Sequence, residues 1–182
     1  MNDSGLLAGR TLILIKHALP EIDPERPAPE WHLGDTGRAQ AETLAEQLRA
    51  YAPQRVLTSV ESKAHETGEI VANQLGLTCD TVTSIHEQER ANEHYTDTAT
   101  FQSRIRLLFT EPDTLHFGTE TASDARQRFT AAIDGILQDY PEPIIAIVTH
   151  GTVLSLYAAP LLKRDAFELW RSLECGDFVV IH

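Results

Sequence analysis

Thr11-Leu-Ile-Leu-Ile-Lys-His-Ala-Leu-Pro20 is the stretch whose reading decides the fold. Four consecutive aliphatic residues, Leu12 to Ile15, are too few for a buried helix and read as a strand covered on both faces, as in a parallel sheet. The run stops at Lys16-His17, and Pro20 forbids its continuation. In open α/β sheets the ligand site lies just beyond the carboxyl ends of the strands. A cation and an imidazole leaving such a strand together stand where chemistry usually happens. Taken alone, the pair reads more simply as ordinary polar residues closing a strand.

Outward from this stretch, the chain alternates strands and helices. The proline-rich, acidic segment from Pro20 to Pro29 reads as a loop or flap. A helix begins near Asp35-Thr36, with Thr36 as candidate N-cap and Ala41, Leu44, Ala45 and Leu48 as its buried stripe. Val56 to Thr58 forms a second strand, followed by a helix over 60–75 that Gly76 stops. A third strand lies between Thr78 and Ile85. The polar stretch from His86 to Asp97 precedes a helix with Phe101, Ile105 and Leu108 inward, and a longer one runs over 121–140. Ile144 to Val148 is a second strongly buried strand, and it too ends at a histidine, His150. Helices over 151–162 and around 167–170, then a strand over 178–181, close the chain. The pattern predicts one domain over 1–182, an α/β fold built as a three-layer α/β/α sandwich on a mostly parallel sheet.

The composition sets bounds on function. With 182 residues, 42% hydrophobic and 23% charged, the chain is long enough to bury a core of ordinary size. No apolar run approaches the ~20 residues of a membrane helix. The start of the chain lacks the basic and apolar segments of a signal peptide, so a cytoplasmic protein is expected. Its two cysteines, Cys79 and Cys175, read as reduced core residues. The net charge of −12 disfavours nucleic acid or an anionic membrane as partner. An anion would have to bind in a local pocket of Lys, His and helix N-termini.

The strand ends together describe such a pocket. The first strand delivers Lys16 and His17, and the second delivers Ser59 and then Lys63 on the first turn of a helix. The fourth delivers His150 and Gly151 at another helix start. Two histidines, two lysines and two helix N-termini on one sheet edge suit a dianionic phosphate with a nucleophile beside it. His32, His65, His86, His94 and His116 read as surface or loop histidines, because no pair has zinc-site spacing. Ser59 reads as a phosphate ligand or as a helix-capping serine. Glu120 with Arg126 or Arg128 reads as a structural ion pair. Trp31 and Trp170 are left open as core residues or loop anchors.

These residues resemble the histidine phosphatase superfamily, which also contains the cofactor-dependent phosphoglycerate mutases. Lys16-His17-Ala18 stands where the family has Arg-His-Gly, and Leu33-Gly34-Asp35-Thr36-Gly37-Arg38 resembles its first-helix signature. Thr58-Ser59-Val60-Glu61-Ser62-Lys63-Ala64 through Thr67 is similar to its Ser-Ser-Pro-x-x-Arg-Ala-x-x-Thr segment. Ile85-His86-Glu87 matches Leu-x-Glu, Gly118-Thr119-Glu120-Thr121 resembles the Gly-Glu-Ser element, and Val148-Thr149-His150-Gly151 resembles Val-Ser-His-Gly. The matches keep the family's order.

The resemblance implies a phosphoglycerate mutase-like fold and a phosphatase that works through a phosphohistidine on a small phosphorylated substrate. His17 would be the nucleophile, and His150 would contact the phosphoryl group. Glu87 would donate the proton, with Glu89 and Glu93 as alternative acids. Lys16 and Lys63 would take the two phosphate-binding arginine positions, aided by Ser59 and Gly151. No metal and no dissociable cofactor are implied, and a homo-oligomer is left open.

The departures carry physical consequences. Lysine for arginine replaces planar bidentate forks with flexible point charges, which predicts slower chemistry. Ala18 replaces a glycine at a close backbone approach. Leu19-Pro20 replaces polar residues that help the mutases hold substrate, which disfavours mutase activity. The alternative from another class is a catalytically impaired phosphate- or phosphopeptide-binding module of the same fold. A serine hydrolase using Ser59 or Ser155 is disfavoured, because neither serine lies in a Gly-x-Ser-x-Gly elbow.

Overall fold

The computed structural model describes residue 7 and residues 9–182. Most of the opening segment read for a signal peptide therefore lies outside the described residues. Five strands form one sheet in the order β3-β2-β4-β1-β5. They are β1 (Thr11–Lys16), β2 (Arg55–Ser59), β3 (Cys79–Val82), β4 (Ile144–Thr149) and β5 (Phe178–Ile181). β1, β2, β3 and β4 run parallel, and β5 closes the edge antiparallel to β1.

Side-chain alternation along β1 explains its unbroken apolar run. Leu12 and Leu14 join a cluster with Leu57, Ile145, Ile147, Phe129 and Ile133 on one face. Ile13 and Ile15 join Leu44, Leu48, Val56, Val71 and Val148 on the other. All four β1 residues are fully buried, because each face of the sheet has its own helical layer. The helices α1 (Asp35–Leu48) and α2 (Ser62–Leu75) cover one face. The opposite layer contains α3 (Thr98–Thr110), α4 (Ala122–Asp139), α5 (Gly151–Leu162) and α6 (Ala166–Ser172).

Several local expectations need correction. Gly34, not Thr36, is the N-cap of α1, and no side chain caps it; Thr36 is already helical. α2 begins at Ser62 rather than 60, because Glu61 is still extended. Phe101 is half-buried, not a core residue, since α3 packs near the mouth of a cavity. Cys79 and Cys175 are free, as expected, but half-buried rather than in the core. Among the described residues no helix is long and apolar enough to cross a membrane.

Candidate active site

The register puts three strand ends side by side. Lys16 of β1 pairs with Thr149 of β4, and Thr58 of β2 pairs with Val148 of β4. His17 and His150, which leave β1 and β4, and Ser59, the last residue of β2, therefore converge at one edge of the sheet. There a cavity of about 680 Å³ opens, lined by Lys16, His17, Glu61, Lys63, Glu87 and His150 among others. Gly151 also lines it; Ser59 does not.

His17 is held by its own backbone and its neighbours. Its N–H donates to the Thr149 carbonyl at 3.0 Å, extending the ladder one residue past β1. Its Nδ1 lies 2.8 Å from the Ala18 carbonyl, which accepts only from an N–H, so Nδ1 carries the proton. Nε2 is left as the basic nitrogen of a neutral ring. Burial, reinforced by the nearby charges of His150, Lys63 and Lys16, pushes the His17 pKa well below its ordinary value. The Ala18 N–H donates to Thr67 Oγ1 at 3.0 Å, and Ala18 is fully buried.

His150 is the extended N-cap residue of α5 and is wholly buried. Its ring centroid is 5.2 Å from that of His17. Nε2 lies 2.9 Å from Ser59 Oγ and 3.5 Å from Glu61 Oε1, while Nδ1 has no hydrogen-bond partner among the described residues. Burial pulls its pKa down to about 4, against the opposing attraction of Glu61, so the ring is neutral near pH 7. Ser59 is fully buried and supports His150 rather than lining the cavity.

The two lysines reach the cavity already engaged. Lys16 Nζ donates to the Leu173 carbonyl at 2.7 Å. Lys63 Nζ donates to Glu61 Oε2 at 2.5 Å and to the Ala28 carbonyl at 2.8 Å. That second bond pins the Pro20–Pro29 loop against the site, and Pro20, Ala28 and Pro29 line the cavity.

Glu87 is positioned through the strand beneath it. Thr149 Oγ1 donates to the Ile85 carbonyl at 2.7 Å, fixing the turn that precedes Glu87. Arg128 donates to the carbonyls of Ser84, His86 and Glu87 and pairs with Glu120 at 2.8 Å, so Arg128 is the structural partner. The 117–120 segment clasps the residues that follow. Gln88 donates to the Phe117 and Glu120 carbonyls, and Gly118 sits at φ 75° with no room for a side chain against the Glu89 carbonyl.

The Glu87 carboxylate occupies the N-terminus of α5. It accepts from the N–H groups of Thr152 and Val153 and from Arg90 Nη2 at 3.1, 3.3 and 3.0 Å. Burial disfavours its charge, but Arg90, His150 and the Gln88 N–H outweigh this and lower its pKa to about 2. The α5 amides expected to await an anion are thus partly taken. Glu89 and Glu93 also line the cavity. Glu93 pairs with Arg104 and accepts from the Gly118 N–H, and Glu89 lies near His86 and Thr119.

Sequence reasoning missed two site residues, Glu61 and Arg90. Glu61 Oε1 accepts from the Glu87 N–H at 2.8 Å while Oε2 holds Lys63. Burial works against its charge, but His150, Lys63 and these hydrogen bonds keep its carboxyl well below the usual range. The only sequence signals were Glu61 two residues before Lys63 and Arg90 three residues after Glu87. Lys16, Lys63 and Arg90 line the same cavity as the carboxylates of Glu61 and Glu87. With both histidines neutral, the pocket is left one positive charge in excess. Among the described residues no group of three or more His, Cys, Asp or Glu is arranged to hold a metal ion.

No curated protein matches the chain. Solved structures match its fold closely. A mycobacterial glucosyl-3-phosphoglycerate phosphatase is 19% identical, covering 94% of this chain and 89% of its own, with a TM-score of 0.74. A putative alpha-ribazole-5′-P phosphatase from Escherichia coli is 21% identical over 95% and 90% of the two chains, at 0.72. A phosphoserine phosphatase mutant from Entamoeba histolytica, in complex with phosphoserine, is 16% identical over 94% and 89%, also at 0.72. The family model of the histidine phosphatase superfamily, branch 1, matches residues 12–178, a span that runs from β1 to the first residue of β5 and takes in both histidines. The chain belongs to the histidine phosphatase superfamily.

Proposed function

We propose that this protein is a phosphomonoester hydrolase that passes the phosphoryl group of a small phosphorylated molecule through His17 to water. The observation that carries the reading is the His17 ring itself. It is neutral, its Nδ1–H is tied to the Ala18 carbonyl, and it lines the cavity with Nε2 free to attack.

Each remaining group has a task in this scheme. Nε2 of His17 attacks phosphorus as the ester P–O bond breaks, and the leaving oxygen takes a proton from Glu87. Water then attacks the phosphohistidine, returns a proton to the Glu87 carboxylate and releases inorganic phosphate as the P–N electron pair goes back to His17. Lys16 has two ammonium hydrogens beyond its bond to Leu173 and Lys63 one beyond its two, so both retain donors for the equatorial oxygens. The buried Nδ1 of His150 has no partner among the described residues and is available to the same group. Glu87 is ionised when the site is free. A phosphate dianion beside it raises its pKa by like-charge repulsion, so it takes up its proton as substrate arrives.

A second reading rests on a specific observation. Both lysines are engaged and Glu61 adds a buried negative charge, which suits a catalytically impaired phosphate- or phosphopeptide-binding module. Phosphoglycerate mutase activity is disfavoured by Leu19 and Pro20 beside the nucleophile. Steady-state hydrolysis of phenyl phosphate, wild type beside His17→Ala and with EDTA present, separates the readings. Turnover that resists EDTA and vanishes in the variant is expected. Wild-type protein that binds phosphate without hydrolysis, with His17→Ala still binding, would favour the module.

A further inference from the structure

The cavity extends well past the phosphoryl site, and its outer part is built unlike its floor. Trp31 and Tyr95 meet across it with ring centroids 6.4 Å apart, and Phe101 and Trp170 lie 6.0 Å apart on α3 and α6. Ile22 and Phe117 add aliphatic and aromatic surface. Tyr95 and Ile22 are half-exposed, a placement that leaves apolar surface uncovered around an opening. Trp31 is fixed in place, because its Nε1–H donates to the Asp23 and Arg26 carbonyls.

The charged side chains of this outer chamber are already partnered. Arg26 pairs with Asp23, Arg104 with Glu93, and Arg90 with Glu87 while its guanidinium covers the Phe101 ring at 5.1 Å. Of the uncharged polar groups that also line it, Gln88, His86 and Thr119 already bond within the protein, which leaves Asn92, His94, Thr96 and Thr98 beside this aromatic surface. A leaving group rich in hydroxyls or charges would desolvate those groups with too few partners to replace water, and each group left unpaired weakens binding. A flat apolar group loses nothing on entry and stacks on rigid rings.

Resting on the phosphatase reading, the geometry points to a substrate class: phosphate monoesters whose leaving group is an uncharged aromatic alcohol, seated between Trp31, Tyr95, Phe101 and Trp170. The phosphoryl end lies on His17, and the ring end lies in the outer chamber. The pocket therefore selects against polyhydroxylated or zwitterionic esters of similar size.

The test uses non-hydrolysable probes on the wild-type protein, so that it does not depend on turnover. Calorimetric titration with benzylphosphonate and with methylphosphonate compares ligands that share the phosphonate and differ by the ring. The expected result is benzylphosphonate binding at least tenfold tighter, equivalent to about 1.4 kcal/mol. In Tyr95→Ala the ratio of the two affinities should fall toward one; Tyr95 is half-exposed, so its removal costs the fold little. Trp31→Ala should lower the ratio as well. Comparable affinity for the two probes overturns the aromatic leaving group and leaves the phosphatase reading standing. Binding of neither probe overturns both.

Discussion

Glu61 and Lys63 form an ion pair at 2.5 Å in which each side chain is only 7% exposed. The pair sits at the start of α2, where the family resemblance places an arginine for the phosphoryl group. Glu61 therefore does inside this pocket what a substrate phosphate does elsewhere, and binding a phosphate means sharing Lys63 with it.

Removing that competing charge should tighten anion binding. Glu61→Gln keeps an oxygen for the Glu87 N–H but no longer holds Lys63 as a counter-ion. The dissociation constant of inorganic phosphate, measured by calorimetry, should fall by about tenfold, since a like charge within several ångströms is worth at least one pKa-scale unit. Lys63→Met strands Glu61 and should cost about 3–5 kcal/mol in urea unfolding. In the double variant much of that loss should be recovered, and the coupling energy measures the pair. Additive losses would mean that the two charges do not depend on each other.

Lys63→Arg tests what the lysine costs in chemistry. A guanidinium offers a planar fork that serves Glu61 and an equatorial oxygen together, which one ammonium does less well. One oriented donor contributes up to ~3–4 kcal/mol to a charged transition state. An increase in kcat of at least tenfold for phenyl phosphate is expected, with a smaller change in KM. A variant with equal or lower kcat would show that Lys63 is no longer positioned for transfer.

Much of the fold was legible because its signals are local and redundant. Leu12 to Ile15 and Ile144 to Val148 had to be strands buried on both faces, and Gly76 ends α2 in the left-handed conformation its residue type suggested. His17 and His150 could be paired from sequence because both leave such strands, and the register makes those strands neighbours. Thr36 misled because a threonine ahead of an apolar stripe looks like a cap, yet the cap position lies two residues earlier, on Gly34, with no side chain capping it. Glu61, Arg90 and the capture of the α5 amides by Glu87 were not legible. Each depends on which side chain turns inward, and that is settled by contacts between residues 26 to 66 positions apart.

The site should make the protein less stable in acid. His150 has a folded pKa of about 4 against an ordinary 6.5, and His17 is lowered in the same sense. Between those values the unfolded chain binds more protons, so stability rises with pH. Stability present above about pH 6.5 is lost as pH falls toward 4, by about 3 kcal/mol from His150 alone. Glu61 and Glu87, whose carboxyls are depressed, extend the loss below pH 4.5. Urea midpoints measured from pH 7.5 to 4.5 should fall steadily, and His150→Asn should flatten the slope.

The same buried groups set an acid-favoured pH profile for turnover. In the proposed mechanism Glu87 must hold a proton in the Michaelis complex, and its free pKa of about 2 means that this proton becomes scarcer as pH rises. His17 must be neutral, and its lowered pKa keeps it so well below pH 6.5. Both requirements move the optimum of kcat/KM below pH 6.5, with a decline on the alkaline side. Glu87→Gln should remove that alkaline limb for phenyl phosphate, whose leaving group needs little protonation, and should slow esters of alkyl alcohols far more. A profile that rises toward pH 8 would assign the proton to another group.

The turn that follows His17 rests on a glycine of α1. A Cβ added at Gly37 would stand 2.1 Å from the Leu19 carbonyl oxygen, far inside contact distance. That carbonyl belongs to the short turn after His17, whose Leu19 N–H is held by Gln40 Oε1 at 2.9 Å, also on α1. The obstacle is backbone, so no rotamer change relieves it; either α1 or the 17–20 turn must move. Gly37→Ala should therefore destabilise by about 3 kcal/mol, the upper part of the range for overpacking, and should lower kcat more than stability alone explains, because His17 moves with its turn. Gly135 on α4 provides the control. Nothing lies within 4 Å of its added Cβ, so Gly135→Ala should stabilise by roughly 0.5–1 kcal/mol through helix propensity. The same substitution in two helices thus has opposite expected signs in thermal unfolding. Equal signs would mean that α1 does not press on the turn after His17.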